Sequence, residues 1–192
     1  MIVKLITTVE AKDRIEKANI EMKKTGLVYD VVYALPKMEI ENENEGWTEG
    51  ADSLRRTTIE LVKDAIKSDD DLWIWEDDCV IRKPFFDKMM DDLELLTDFD
   101  FIHLNNSGGK AFSMSSKGSF RKTIDGVYNC QSYIVSNNAL PLYLEELKVS
   151  RPIDASTKLL HRKRKKSYIV EPSAVSHTVG EFSTIRQKLV NY

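Results

Sequence analysis

Apolar residues fall along this chain in two arrangements: short unbroken runs, and sets spaced by three and four. Residues 2–7, IVKLIT, are apolar and β-branched and predict a buried strand. Ile15, Ala18 and Met22 then recur at helical spacing, and the helix runs to about Lys24, with Gly26 as its stop. Residues 28–34, VYDVVYA, predict a second strand. Strand, helix and strand at this spacing predict a βαβ unit and an α/β domain. The polar, acidic, Gly-bounded stretch 36–50 predicts a long loop. Leu54, Leu61 and Ala65, with Val62 and Ile66 beside them, predict a helix over 52–67, capped by Asp52 or Ser53. Leu72 to Trp75, LWIW, predicts a central strand. A helix over 85–96 is predicted from Phe85, Phe86, Met89, Met90, Leu93 and Leu96. Strands follow at 100–104, 127–136 and 167–171. A Gly/Ser-rich loop is expected over 105–119. Helices are expected from Asn137 or Asn138 through NNALPLYLEEL and from Pro152 to Leu160. The last twenty residues predict no regular element.

Composition narrows the class. The 192 residues fit one domain, 1–192, with about 172–192 as a C-terminal arm closing over the site. With 42% hydrophobic and 31% charged residues, the chain is neither low-complexity nor disordered, and it can bury one core. A net charge of −3 means that an anionic partner must be held by a local patch. Cys79 and Cys130 form no CxxC pattern, which predicts a reducing compartment. No apolar run is long enough to span a membrane, and the N-terminus has no basic leader. The chain is therefore expected to be soluble and cytoplasmic, in a bacterium or an infected host cell.

Candidate chemistry concentrates where an apolar strand ends in three carboxylates, Glu76, Asp77 and Asp78. Ligands bind at strand carboxyl ends in α/β sheets. Adjacent acids raise the cost of ionising one another. A divalent cation removes that cost by taking hard oxygen ligands. In an extended segment Glu76 and Asp78 face one way and Asp77 the other. The alternative is a solvated acidic turn.

This Glu-Asp-Asp after a buried strand resembles the DxD-type motif of GT-A fold glycosyltransferases, and most resembles the "LEDD" of glycosyltransferase family 25, an LPS-biosynthesis group. Further short motifs follow in the family's order. Gly50 to Leu54 occupies the place of its G-C-x-x-S-H element, with Ala51 near the Cys and Leu54 or Arg55 near the His. Tyr133 to Ala139 is similar to its Y-I-V-S-x-x-A, and Pro152-Ile153-Asp154 to its P-x-D. A Pro-containing segment followed by Ser183-Thr184-Ile185 resembles its closing P…S-x-I. The chain is shorter than typical members. The resemblance implies a Rossmann-like mixed central sheet flanked by helices in a single GT-A domain. It also implies a metal-dependent, inverting transfer of a sugar from a nucleotide-diphosphate donor, a UDP-sugar first among them.

The site roles follow from the resemblance. Thr7 and Thr8 at the first strand's end, with Arg14 on the next helix, would hold the nucleotide; the alternative for Arg14 is a solvated helix residue. Asp52, Glu76 and Asp77 join the nucleotide-sugar set. Arg186 would clamp the diphosphate, and Arg55 and Arg56 would do likewise or face solvent. Asp78, His177 and Glu76 are the metal ligands expected for Mn²⁺ or Mg²⁺, and an imidazole ligand favours Mn²⁺. For His177 the alternative is a surface or core histidine. Asp154 is the expected catalytic base, against a first-turn acid. His103 is expected to serve packing or a loop. The run His161 to Lys166 is the one dense positive block, expected beside the acceptor. It suggests a polyanionic acceptor, with a hydroxylated or hydroxymethylated pyrimidine in viral DNA favoured and an LPS or capsule sugar as the alternative. Two other classes remain, a metal-dependent phosphoesterase and an inactive binding module.

Overall fold

The computed structural model describes residues 1–39, 48–105, 112–123, 130–149, 151–163, 166–177, 182–183 and 188–189. In chain order, β1 (Ile2–Thr7), α1 (Lys12–Lys23) and β2 (Asp30–Tyr33) form the expected first βαβ unit. Next come α2 (Glu49–Ser68), β3 (Leu72–Glu76), β4 (Cys79–Ile81), α3 (Lys83–Leu93) and β5 (Phe101–His103). A hairpin of β6 (Phe112–Lys117) and β7 (Phe120–Thr123) precedes β8 (Ser132–Val135), α4 (Leu140–Lys148), α5 (Ile153–Lys163) and β9 (Ser167–Val170). Three short strands close the order: β10 (Val175–His177), β11 (Phe182–Ser183) and β12 (Lys188–Leu189).

Eight strands form one sheet, in the order β2-β1-β3-β8-β5-β9-β7-β6. The pairings make β1, β2, β3, β5, β6 and β9 run one way, with β7 and β8 reversed. The sheet is mixed and helix-flanked, as expected. Alternation along β3 explains how both faces are covered. Trp73 and Trp75 share one face and stack with ring centroids 5.3 Å apart, with Phe86 of α3 and Ala18 and Met22 of α1 in the same cluster. Leu72 and Ile74 face the other way, into a cluster with Leu61, Val62 and Ala65 of α2, Tyr143 of α4 and Leu160 of α5. A strand buried on both faces reads as a continuous apolar run, which is why LWIW was legible.

Several boundaries differ from expectation. Helix α2 starts earlier, capped by Thr48, whose hydroxyl accepts from the Ala51 amide at 3.2 Å. Asp52 therefore lies in the first turn, where a carboxylate suits the helix dipole. A 3-10 turn over Asn137–Ala139 leads into α4, so neither asparagine caps that helix through its side chain. The expected loop 105–119 contains the first strand of a hairpin. Its turn needs glycine: Gly118 has φ +59°, and a Cβ there would meet the Asp92 carboxyl at 2.5 Å. That carboxylate accepts from the Ser119 amide at 2.7 Å and ties the hairpin to α3. The last twenty residues include β10, which pairs antiparallel with β4. No described helix is long and apolar enough to cross a membrane.

Candidate functional site

Strands β1 and β3 run parallel and finish together, so Thr7 and Glu76 end up at one edge of the sheet. Beyond Glu76 the chain turns through Asp77 and Asp78 into β4. The Thr7 hydroxyl donates to Asp77 Oδ2 at 2.6 Å, and the Arg14 guanidinium donates to Asp77 Oδ1. Arg14 is thus an ion-pair partner of the acidic turn rather than a solvated helix residue. The neighbouring Thr8 hydroxyl is buried and makes no hydrogen bond among the described residues.

Glu76 and Asp78 flank the buried Asp77 and are themselves half-buried. Burial pushes the Glu76 carboxyl well above the usual range, and the charges of Asp78, Asp154 and Asp77 push it further, with Arg14 opposing. Asp154 enters from α5, where its Oδ1 accepts from the Cys130 amide at 3.2 Å. Burial raises Asp78 as well; Arg14 and His177 pull it down while Asp77 raises it. His177 comes close because β10 pairs with β4 and sets His177 opposite Cys79. Asp77 is raised by burial against the opposing pull of Arg14 and Thr7. One edge of the sheet therefore gathers Thr7, Arg14, Glu76, Asp77, Asp78, Asp154 and His177 from six separate elements and turns. Among the described residues, four carboxylates face one guanidinium and one imidazole there. Such a cluster attracts cationic or hydrogen-bond-donating groups of a ligand.

Other expected residues are engaged differently. Asp52 accepts from Arg55 Nη2 and from Arg56 Nε, each at 2.7 Å, and the two cations hold its carboxyl below the usual range against the opposing effect of burial. Arg55 also donates to the Leu147 carbonyl at 2.8 Å. This network joins α2 to α4, and Arg55 is buried rather than solvent-facing. Arg186 lies outside the described residues, as do Thr184 and Ile185 of the closing motif, residues 40–47 of the long loop and Arg164 and Lys165 of the basic block.

The basic block does not flank the acidic edge. Helix α5 carries Asp154 in its first turn and descends about 13 Å from there, at about 1.5 Å per residue, to Lys163. Strand β9 then begins beside the start of β5, at the opposite edge of the sheet. Lys166 there pairs with Asp98 at 2.6 Å, and Lys163 pairs with the buried Glu146. His161 is not part of a solvated run. It is buried on α5, with its Nε2 3.1 Å from Nε2 of His103, and the rings stack. His103 packs in the core, as expected.

Two residues near the acidic turn escaped the sequence reading. The Gln131 carbonyl accepts from the Glu76 amide at 2.7 Å and from the Cys79 thiol at 3.0 Å, bracing both ends of the turn. Its side-chain carbonyl accepts from the Asn105 amide. Gln131 lay inside an expected strand and Asn105 at the lip of an expected loop, so neither pattern marked them.

No protein-family model matches the chain, and no curated protein sequence matches it. Among solved structures, it is similar to a glycosyltransferase involved in the glycosylation of the major capsid of PBCV-1, with a TM-score of 0.49 and 13% identity over 90% of this chain and 82% of that one. It is also similar to a mannose-1-phosphate geranyltransferase from Thermus thermophilus, with a TM-score of 0.42 and 11% identity over 87% of this chain and 58% of that one. A third similarity is to A197 from STIV, with a TM-score of 0.43 and 11% identity over all of this chain and 95% of that one.

Proposed function

We propose that this chain is a GT-A-type inverting glycosyltransferase that takes a nucleotide-diphosphate sugar, a UDP-sugar first, and passes the sugar to an acceptor hydroxyl. The observation that carries this reading is the gathering of four carboxylates, Arg14 and His177 at the edge where β1 and β3 end. Arg14, ion-paired with Asp77 beside Thr7 and Thr8, would offset part of the cluster's negative charge where a diphosphate would lie. Asp154 serves as the base. One of its oxygens is oriented by the Cys130 amide, and it takes the proton of the acceptor hydroxyl as that oxygen attacks the anomeric carbon. The bond from that carbon to the diphosphate oxygen breaks on the opposite face, so the configuration inverts.

Mn²⁺ or Mg²⁺ is part of this proposal. Among the described residues no three His, Cys, Asp or Glu side chains are grouped to hold an ion by themselves. The cation would be held by Asp78 and His177, with Glu76 as a third candidate, and would need further oxygen ligands from the donor's phosphates. Bound there, the cation would act as a Lewis acid that steadies the departing diphosphate. Burial and mutual repulsion raise Glu76 and Asp78, and a bound cation would favour the ionised form of both. Two acceptor classes are proposed: a hydroxylated pyrimidine in DNA and an LPS or capsule sugar. The basic block, lying at the opposite edge, lends the first no support at the site. Retention on duplex DNA that weakens with salt separates them, and no retention at low salt leaves the glycan.

The test is a thermal-shift panel of UDP, GDP, CMP and their sugar conjugates, with and without Mn²⁺. The expected outcome is a nucleotide-specific rise in Tm that requires Mn²⁺ and vanishes in Asp78→Asn. Identical melting in every condition would remove the reading.

A further inference from the structure

Gln131 sits on the side of Glu76 away from Thr7 and Arg14. Strand β8 follows β3 in the sheet, whereas β1 lies on β3's other side. Its backbone carbonyl is committed to the Glu76 amide, so its position relative to the acidic turn is fixed. Its side-chain oxygen accepts from the Asn105 amide, which anchors that end of the amide. Its side-chain nitrogen makes no hydrogen bond among the described residues, and the residue is only half-buried. Cys130, next in the chain, orients Asp154. Gln131 therefore borders the space between the acidic turn and the base. On the reading proposed above, that space must hold the anomeric carbon: the diphosphate lies toward Arg14 and the attacking hydroxyl toward Asp154. An amide anchored at its oxygen, with N–H donors on its nitrogen, can distinguish one sugar hydroxyl from its epimer or from hydrogen.

We propose that the Gln131 side-chain amide, held by Asn105, is a specificity contact to a hydroxyl of the transferred sugar. This rests on the glycosyltransferase reading and adds the residue that selects the sugar. Gln131→Ala keeps the backbone carbonyl that braces Glu76 and Cys79, so the acidic turn is retained.

The experiment titrates the full chain, with Mn²⁺, against matched pairs: UDP with UDP-glucose, UDP-galactose and UDP-N-acetylglucosamine, and GDP with GDP-mannose. For wild type the preferred sugar conjugate is compared with its parent diphosphate. In Gln131→Ala the diphosphate affinity stays within about twofold. The sugar conjugate weakens about tenfold, the size of one net hydrogen bond, and discrimination between epimers narrows. Asn105→Ala, which frees the amide without removing it, gives a smaller loss in the same direction. Equal loss for diphosphate and conjugate assigns Gln131 a structural role and overturns the proposal, as does unchanged discrimination. If wild type binds no diphosphate and no conjugate, the glycosyltransferase reading fails, and this proposal with it.

Discussion

Two clusters of buried ionisable groups lie on either side of β8, and they solve the cost of burial in opposite ways. At the end of β3, Glu76, Asp77 and Asp78 meet Asp154, with Arg14 and His177 opposing them among the described residues. At the end of β5, His103 meets His161, and the two rings stack at 5.0 Å against Phe101. The imidazoles share one hydrogen bond, Nε2 to Nε2, and burial favours the neutral form of His103. The carboxylates repel instead, because each ionisation penalises the next. Burial of titratable groups is common to both places and does not distinguish a site from a core. The excess of like charge does. Among the described residues it opposes ionisation of Glu76 and Asp78, which a bound cation would favour, whereas burial favours the neutral form of His103.

The largest expected effect sharpens the catalytic side of this contrast. Asp154→Asn keeps the shape of the first turn of α5 and removes the proposed base. Transfer should fall by about 10²- to 10⁴-fold, with donor affinity unchanged. Single-turnover transfer beside equilibrium donor binding checks it. Retained transfer would move the base elsewhere.

The next effect tests the charge excess directly through its pH dependence. Glu76 in the fold holds its proton above the ordinary Glu value of 4.5. As pH rises through 4.5 the unfolded chain releases that proton while the folded chain keeps it. The folded state then binds more protons, so stability falls with rising pH until the folded group also ionises. Glu76→Gln and Asp78→Asn should each raise the ligand-free Tm at pH 8 by a few degrees and make little difference at pH 4. In Asp78→Asn the Mn²⁺-dependent gain should be lost. A drop in Tm at pH 8 would show that the carboxylates stabilise the fold, contrary to this account.

Sequence periodicity made the sheet strands and helices of the first half legible, because β3 and α2 switch sharply between periods of two and 3.6 and end at polar residues. The acidic turn was legible for the same reason: an apolar strand stops on it. What remained hidden depends on contacts distant in sequence. Strands β4 and β10 are three residues each and exist because they pair with each other. The β6–β7 hairpin is disguised by serine, lysine and glycine. The direction of β9 sends the basic block to the far edge, a consequence of strand order that composition does not carry. His161 looked like one more cation in a row of cations, yet helical phase turns it inward beside Leu160 and opposite His103. Gln131 braces the acidic turn through its backbone carbonyl, which no side-chain pattern reports.

The smallest effect probes the neutral partner in the comparison. Burial, reinforced by His161, holds the His103 pKa well below the ordinary value of 6.5. Below pH 6.5 the unfolded chain takes up a proton that the folded chain refuses, so the stability tied to this histidine is complete above 6.5 and declines as pH falls. The sign is opposite to that of the carboxylate cluster. His103→Phe alone leaves the buried His161 nitrogen without its partner and should cost about 1–3 kcal/mol. His161→Leu alone should cost a similar amount. Together they replace both polar partners with apolar groups, so the double variant should recover most of the loss and melt with a shallower decline between pH 6.5 and 5. Transfer at pH 7.5 should match wild type in the double variant, since the pair packs beneath α5 and touches none of the acidic turn's hydrogen bonds. Additive losses in urea unfolding, or a fall in transfer without a fall in stability, would show that the pair does more than fill the core.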